Sequence, residues 1–244
     1  MMSFERAPGI GAEPAPVPPG GTTMADGVSP AMRLQILSTE HWSLLASRSL
    51  AWNESFSRAG MFLTTLTGSI VALALVAQAT QFGEGFTLFA VVILSTVLLI
   101  GVATFMRLGT ANYHEAMCVV GMNRIRAAYI ELVPDVERYF VMSAHDDQQG
   151  IGITMGVQPG GAILWIGQML AGTPTVVMIL NAVLAGAILS IGVLRYGMAV
   201  PGVVAFGVFG FIVAIVLQSM WARGTIARAQ AGYRPLFPHT ASDR

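Results

Sequence analysis

Four stretches of the chain, roughly 60–79, 86–106, 174–194 and 198–220, run apolar with no charged residue inside them. Each supplies the ~20 residues that a helix rising ~1.5 Å per residue needs to cross a ~30 Å hydrocarbon layer. The first two are separated only by residues 81–85, and the last two only by Arg195-Tyr196-Gly197, so each pair is expected to fold back on itself. The pattern predicts an all-α integral membrane protein with four transmembrane helices in two antiparallel hairpins.

Polar and apolar positions continue in helical rhythm outside the spans. Ser29-Pro30 combines an N-cap residue with proline at the first helical position. No proline or glycine follows until Gly60. At 100° per residue, Leu34, Leu37, Leu45, Trp52, Phe56 and Ala59 fall on one stripe, with Glu40, Ser47, Glu54 and Arg58 roughly opposite. Residues 32–59 therefore predict a helix that runs straight into the first span. After the second span, residues 112–133 predict another helix, stopped by Pro134. It carries two apolar stripes, one of Tyr113, Met117 and Val120, the other of Cys118, Met122, Ile125 and Tyr129. The first hairpin thus extends into a helical stalk, and residues 30–145 form one unit. Residues 146–173 read as a glycine-rich loop, within which Gly161–Leu170 is too short to span and Trp165 suits an interface, so an interfacial or re-entrant helix is expected there. Thr173-Pro174 opens the second hairpin, residues 174–222. The proline- and glycine-rich stretch 1–29 lacks the apolar core of a signal peptide and reads as a disordered tail. The stretch 223–244, with Pro235 and Pro238, reads as poorly ordered.

Charge sets an orientation. Only 11% of the 244 residues are charged, against ~25% in a soluble domain, and the formal net charge of zero conceals an asymmetry. All thirteen basic residues are arginine, and twelve lie before the first span, between the second and third, or after the fourth. The two short connections hold only Glu84 and Arg195. The positive-inside rule then places both termini and the middle segment in the cytoplasm, with the protein in the inner membrane.

Polar side chains within the spans are few and none is ionisable. Thr64, Thr65, Thr67 and Ser69 lie in the first span, Ser95, Thr96 and Thr104 in the second, Asn181 and Ser190 in the third, and Gln218 in the fourth. Hydroxyls can bond back to their own helix, whereas Asn181 is costly in lipid and is the best candidate for an interhelical hydrogen bond. The absence of an intramembrane acid, arginine or histidine argues against an ion-coupled pump. Ala182, Ala185, Gly186, Gly202, Gly207 and Gly210 suit close approach of the last two spans.

His41 and Arg48 sit on the apolar stripe of the stalk, where a buried charge needs a partner. Centring the first hairpin on Ile70 and Val97 brings Glu40 and His41 level with Arg124 and Arg126, and Glu54 level with His114. A clasp of Glu40 with Arg124 or Arg126, and of Glu54 with His114, is expected to fix the stalk register, with His41 able to act as a pH-sensitive element. His114, Glu115 and Cys118 form only a fragment of a metal site, and His145-Asp146-Asp147 reads as a solvated loop. The single cysteine excludes an intramolecular disulfide. No nucleophile motif, phosphate loop or basic aromatic surface for nucleic acid occurs, and no catalytic group, metal or cofactor is expected.

Glu40-His41-Trp42-Ser43-Leu44-Leu45-Ala46, Arg48-Ser49-Leu50 and Trp52-Asn53-Glu54, with Val119-Val120-Gly121-Met122-Asn123-Arg124-Ile125-Arg126 and His145-Asp146-Asp147, resemble an uncharacterised family of bacterial four-span membrane proteins, over residues 34–224. That resemblance implies a membrane location and no activity. The first half also has a looser architectural likeness to two-span effector domains thought to perturb membranes. The expected role is a non-enzymatic structural or interaction protein that associates with the bilayer and with a second copy or another membrane protein. The alternative is an oligomeric pore lined by the hydroxyl side of the first span.

Overall fold

A computed structural model describes residues 29–157 and 172–239, and all regular structure among the described residues is helical. The helices are α1 (Pro30–Thr80), α2 (Glu84–Leu132), α3 (Gln148–Thr154), α4 (Thr173–Arg195) and α5 (Val200–Ala231), with a 3₁₀ segment at Pro134–Tyr139. Four of them, α1, α2, α4 and α5, are long and apolar enough to cross a membrane by length and composition. The expected tail 1–29, apart from Ser29, and the interfacial helix at 161–170 lie outside the described residues.

Helix α1 begins as the Ser29-Pro30 signal predicts, with the Ser29 hydroxyl accepting from the Met32 amide at 3.3 Å. Its 51 residues give a rod of about 76 Å. It ends where Gln81 and Phe82 take positive φ (48° and 59°), a left-handed pair without glycine at either position. Helix α2 is equally unbroken, so the second span and the helix expected at 112–133 are one element, ended by Val133 and Pro134.

α1 and α2 pack along one another with their contacts in opposite order. Phe62 meets Gly101, Arg48 meets Glu115 and Leu44 meets Gly121. α4 and α5 do the same: Met178 receives Gln218, Gly186 meets Gly207, and the Ser190 hydroxyl donates to the Val203 carbonyl. Small residues let these two backbones close up, since a Cβ on Gly186 would lie 2.6 Å from the Gly207 carbonyl oxygen. α2 joins the two pairs by packing on α4 as well as α1. The core lies where these three meet and is built from Phe62, Leu94, Val97, Phe105, Leu108, Val177 and Leu184. Arg195 pairs with Glu84 across the two turns, so both turns lie at one end of the bundle, the tip end. The opposite, base end carries the rest of α1 and α2, α3, and residues 232–239.

Two expectations about the base end change. Residues 224–239 are ordered: α5 continues to Ala231, and residues 233–239 lie on the loop before α3, while residues 240–244 of the expected tail lie outside the described residues. The glycine-rich loop also contains a helix, α3, which starts because the Asp147 carboxylate caps the Gly150 amide at 2.8 Å.

Candidate functional site

The α1–α2 seam at the base end holds two charged rungs. In the inner one, Glu54 accepts two bonds from Arg107 (2.9 and 3.1 Å) and one from Arg58 (2.9 Å). Arg107, then Arg58, holds the Glu54 carboxyl down at about 2. In the outer rung, Arg48 bonds Glu115 at 3.0 Å, and Glu115 is only 9% exposed. Arg48 thus faces α2, while Leu34, Leu45, Trp52 and Phe56 of the stripe it was read on are exposed, and its partner is an acid that the sequence presented beside His114 and Cys118.

The pairings expected from centring the spans differ from those found. Glu40 is exposed and makes no ion pair among the described residues. Arg124 pairs with Asp146 at 2.8 Å, and Arg126 donates to the Asn123 side chain and the Ser143 carbonyl. Glu54 takes Arg107 and Arg58, and His114 touches Cys118 at 3.8 Å. The cause is the choice of centre. The turn pivots about Phe82, so Phe62, 20 residues before it, meets Gly101, 19 after it. Midpoints of the apolar windows place the pivot too far along the chain and displace the Glu54 pairing by more than a helical turn. Toward the end of the stalk the offset shrinks, and His41 does come close to Arg126. Its ring is half-buried, with Nδ1 buried and without a partner. Burial, followed by the Arg126 charge, lowers its pKa and keeps the imidazole neutral.

The most completely bonded site in the base is one the sequence did not advertise. His145-Asp146-Asp147, expected as a solvated loop, is held between α2 and residues 233–239. Asp146 is fully buried. Its carboxylate accepts the Leu236 amide (2.9 Å), the Phe237 amide (2.8 Å) and Arg124, while its own carbonyl takes the Tyr233 hydroxyl. Burial alone would raise this carboxyl, and the two amides with Arg124 outweigh it and hold it below the usual carboxylate range. Asp147 is likewise raised by burial, but the Gly150 and His239 amides and the His239 ring bring it down to about 2. The rings of His145 and His239 stack at 3.9 Å. Beneath them the fully buried Asn123 donates to the His145 carbonyl at 2.7 Å and accepts from Thr154 and Arg126. A Cβ on Gly150 would fall 2.1 Å from the His145 carbonyl oxygen, so glycine is required there for the loop to lie flat on α3. One signal of this knot was present in the sequence: Asp147 stands three residues before Gly150 at a helix start. The partners 233–239 are about 90 residues away, beyond the reach of local pattern.

Chemically, the knot is saturated. Both carboxylates are committed to amides, arginine or histidine, which leaves neither free as a general base. Cys118 is buried, and burial raises its thiol. Among the described residues no three His, Cys, Asp or Glu side chains are grouped so as to hold a metal ion.

Within the apolar part of the bundle a second polar contact ties three helices. Asn181 on α4 donates to the Gln218 side chain on α5 at 3.0 Å, and Gln218 in turn donates to the Ala214 carbonyl at 3.1 Å. Asn181 reaches this position because α2 presents Gly101: a Cβ there would lie 1.9 Å from Asn181 Oδ1 and 2.7 Å from the Phe62 ring. The hydroxyls of Thr64, Thr65, Thr67 and Ser69 all bond to the carbonyl four residues earlier in α1.

Between α2 and α5 the bundle is open. A cavity of about 910 Å³ at the base end is lined by Gly109, Tyr113 and Met117 of α2 and by Trp221, Arg223 and Ile226 of α5, among others. A groove of about 500 Å³ continues toward the tips between α2, α4 and α5. The two share Phe105 and Trp221, whose rings lie 5.7 Å apart. No protein-family model, curated protein or solved structure matches this chain.

Proposed function

We propose that this protein is a multi-pass scaffold of the bacterial inner membrane, in two antiparallel hairpins with both termini in the cytoplasm, that assembles with further copies of itself through the stalk of α1. The reading is non-enzymatic and requires no cofactor. It remains compatible with the resemblance to uncharacterised four-span membrane proteins.

The observation that carries it is the outer face of the stalk. Trp42, Leu45, Ser49, Trp52 and Phe56 follow one another at alternating spacings of three and four, the a/d repeat of a coiled-coil seam. This face is turned away from α2, with Trp42 67% exposed and Phe56 59%. A span needs only ~20 residues, so about 40 Å of the α1 rod stands beyond the bilayer. There the aromatic stripe lacks both lipid and a neighbouring helix, and a second stalk with the same repeat covers it by symmetry. The pore reading draws less support, because every hydroxyl of the candidate lining is turned to its own helix backbone.

Carbonate-resistant pelleting tests the membrane location, and light scattering of the protein in lipid nanodiscs tests assembly. The expected result is a dimer or higher oligomer, reduced to monomer by Trp52→Glu with Phe56→Glu. In a Cys118→Ala background, cysteines at Leu45 or Trp52 should cross-link between copies, and one at Glu40 should not. Oligomers that persist through both charge substitutions would remove the stalk from the interface. Ion flux abolished by Thr64→Val would favour the pore.

A further inference from the structure

We infer that the groove between α2 and α5 is a binding site for one anionic phospholipid, its acyl chain along the groove and its phosphate at Arg223. The inference rests on the membrane reading above but not on self-assembly.

The polarity of the groove is graded along its length. Toward the tips its walls are Leu98, Val102 and Met106 of α2, Leu189 of α4, and Val213 and Leu217 of α5, with no charged side chain. Among the described residues its one polar wall residue, Gln218, is already committed, accepting from Asn181 and donating to the Ala214 and Met178 carbonyls. This end therefore offers an occupant packing contacts only, which suits a hydrocarbon chain. Past the Phe105–Trp221 pair the groove opens into the larger cavity, where polar groups collect: Asn112, Tyr113, Gln230 and Arg223. Arg223 lies one helical turn beyond the proposed end of the α5 span, at headgroup depth, and makes no ion pair among the described residues. The acid in the same cavity, Asp147, has its oxygens occupied by the Gly150 and His239 amides and the His239 ring, whereas Arg223 has no side-chain partner among the described residues and is the charged group left to meet a headgroup.

Two further features fit a seated lipid rather than a passing one. The cavity volume, about 910 Å³, lies within the ~300–1,000 Å³ that bound small molecules usually occupy. Trp221 sits where groove and cavity meet, and interfacial tryptophan is the side chain suited to the boundary between chain and headgroup. A basic residue between transmembrane helices at the cytoplasmic boundary is also the usual setting for an anionic headgroup. A helix from a second copy would fit less well, because the Phe105 and Trp221 rings, 5.7 Å apart, bridge the floor of the groove, and an entire helix needs ~10 Å of clearance.

Native mass spectrometry of the delipidated full-length protein, with phosphatidylglycerol, phosphatidylcholine or oleate added back, tests the assignment. One phosphatidylglycerol should be retained per chain at least fivefold over phosphatidylcholine, in line with about one arginine–headgroup contact. Arg223→Gln should bring that preference close to unity. Ala214→Trp, which fills the chain end of the groove, should abolish retention while leaving the circular dichroism unchanged. Equal retention of all three amphiphiles, or retention untouched by both substitutions, overturns the site. Oleate held as strongly as phosphatidylglycerol, and equally dependent on Arg223, overturns the phospholipid in favour of a free carboxylate amphiphile. A protein extracted by carbonate would defeat the membrane reading separately, whatever the lipid result.

Discussion

Replacing Gly101 by alanine sets two effects of known sign against each other. In a helix interior alanine is favoured over glycine by about 1 kcal/mol. At Gly101, however, the new methyl would stand 1.9 Å from Asn181 Oδ1 and 2.7 Å from Phe62 Cε2, and real Cβ atoms essentially never come within 3.0 Å. The carbonyl oxygen must therefore retreat by more than 1 Å, and it cannot do so without straining the Asn181–Gln218 bond at 3.0 Å. Overpacking of this kind costs about 3 kcal/mol at its upper range, leaving a net loss of about 2 kcal/mol. Cys118, buried and the protein's single thiol, reports unfolding directly when heated with a thiol-reactive fluorophore. The expected fall in transition temperature is on the order of 4–8 °C. Gly68→Ala is the control: nothing lies within 4 Å of a Cβ there, so the same change should be neutral or slightly stabilising. Asn181→Ala removes the clashing oxygen, and the double variant should be at least about 1 kcal/mol more stable than the two single losses together predict. A Gly101→Ala protein as stable as Gly68→Ala, or additive losses in the double variant, would show that α2 and α4 do not meet through this glycine.

The two charged sites give sharper readouts than the span. Arg48→Ala leaves the nearly buried Glu115 without its cation and should cost about 2 kcal/mol in the same thiol assay, whereas Arg58→Ala, at an exposed rung where Arg107 still holds Glu54, should cost little. The Asp147 carboxyl lies at about 2 against an ordinary 3.8, so its contribution of about 2 kcal/mol is fully present above pH 4 and disappears as the pH falls toward 2. The protection of the His239 amide, its exchange relative to an unstructured peptide at the same pH, should fall over that window, and Asp147→Asn should show low protection already at neutral pH. Gly150→Ala should loosen the same knot, detected as protease cleavage between residues 232 and 239.

The elements legible in the sequence were those whose cause is local. Ser29-Pro30 started α1 because a cap and a fixed φ act within one turn. Pro134 stopped α2 because a missing amide cannot be replaced from elsewhere. The apolar stripe read from 3.6-residue periodicity divides in the structure: Arg48 and Ala59 face α2, whereas Leu45, Trp52 and Phe56 of the same stripe are exposed, because α2 covers only one edge of it. The pairing partners were less legible, because register depends on where the chain turns. Gln81 and Phe82 make that turn with left-handed backbones that neither residue type announces. An error of a few residues in the pivot was enough to send Glu54 toward His114 instead of Arg107.

Hydropathy and length alone determined four helices capable of crossing a bilayer, since a run of about twenty apolar residues has few other stable fates in water. Tertiary structure alone decided that Asp146 is a buried anchor rather than a solvated acid, because its donors Leu236 and Phe237 come from the far end of the chain. It also decided that Gly101 is a socket for Asn181 rather than one more small residue in an apolar run. In both cases the deciding quantity is a distance between groups remote in sequence, and such distances exist only once the helices have packed.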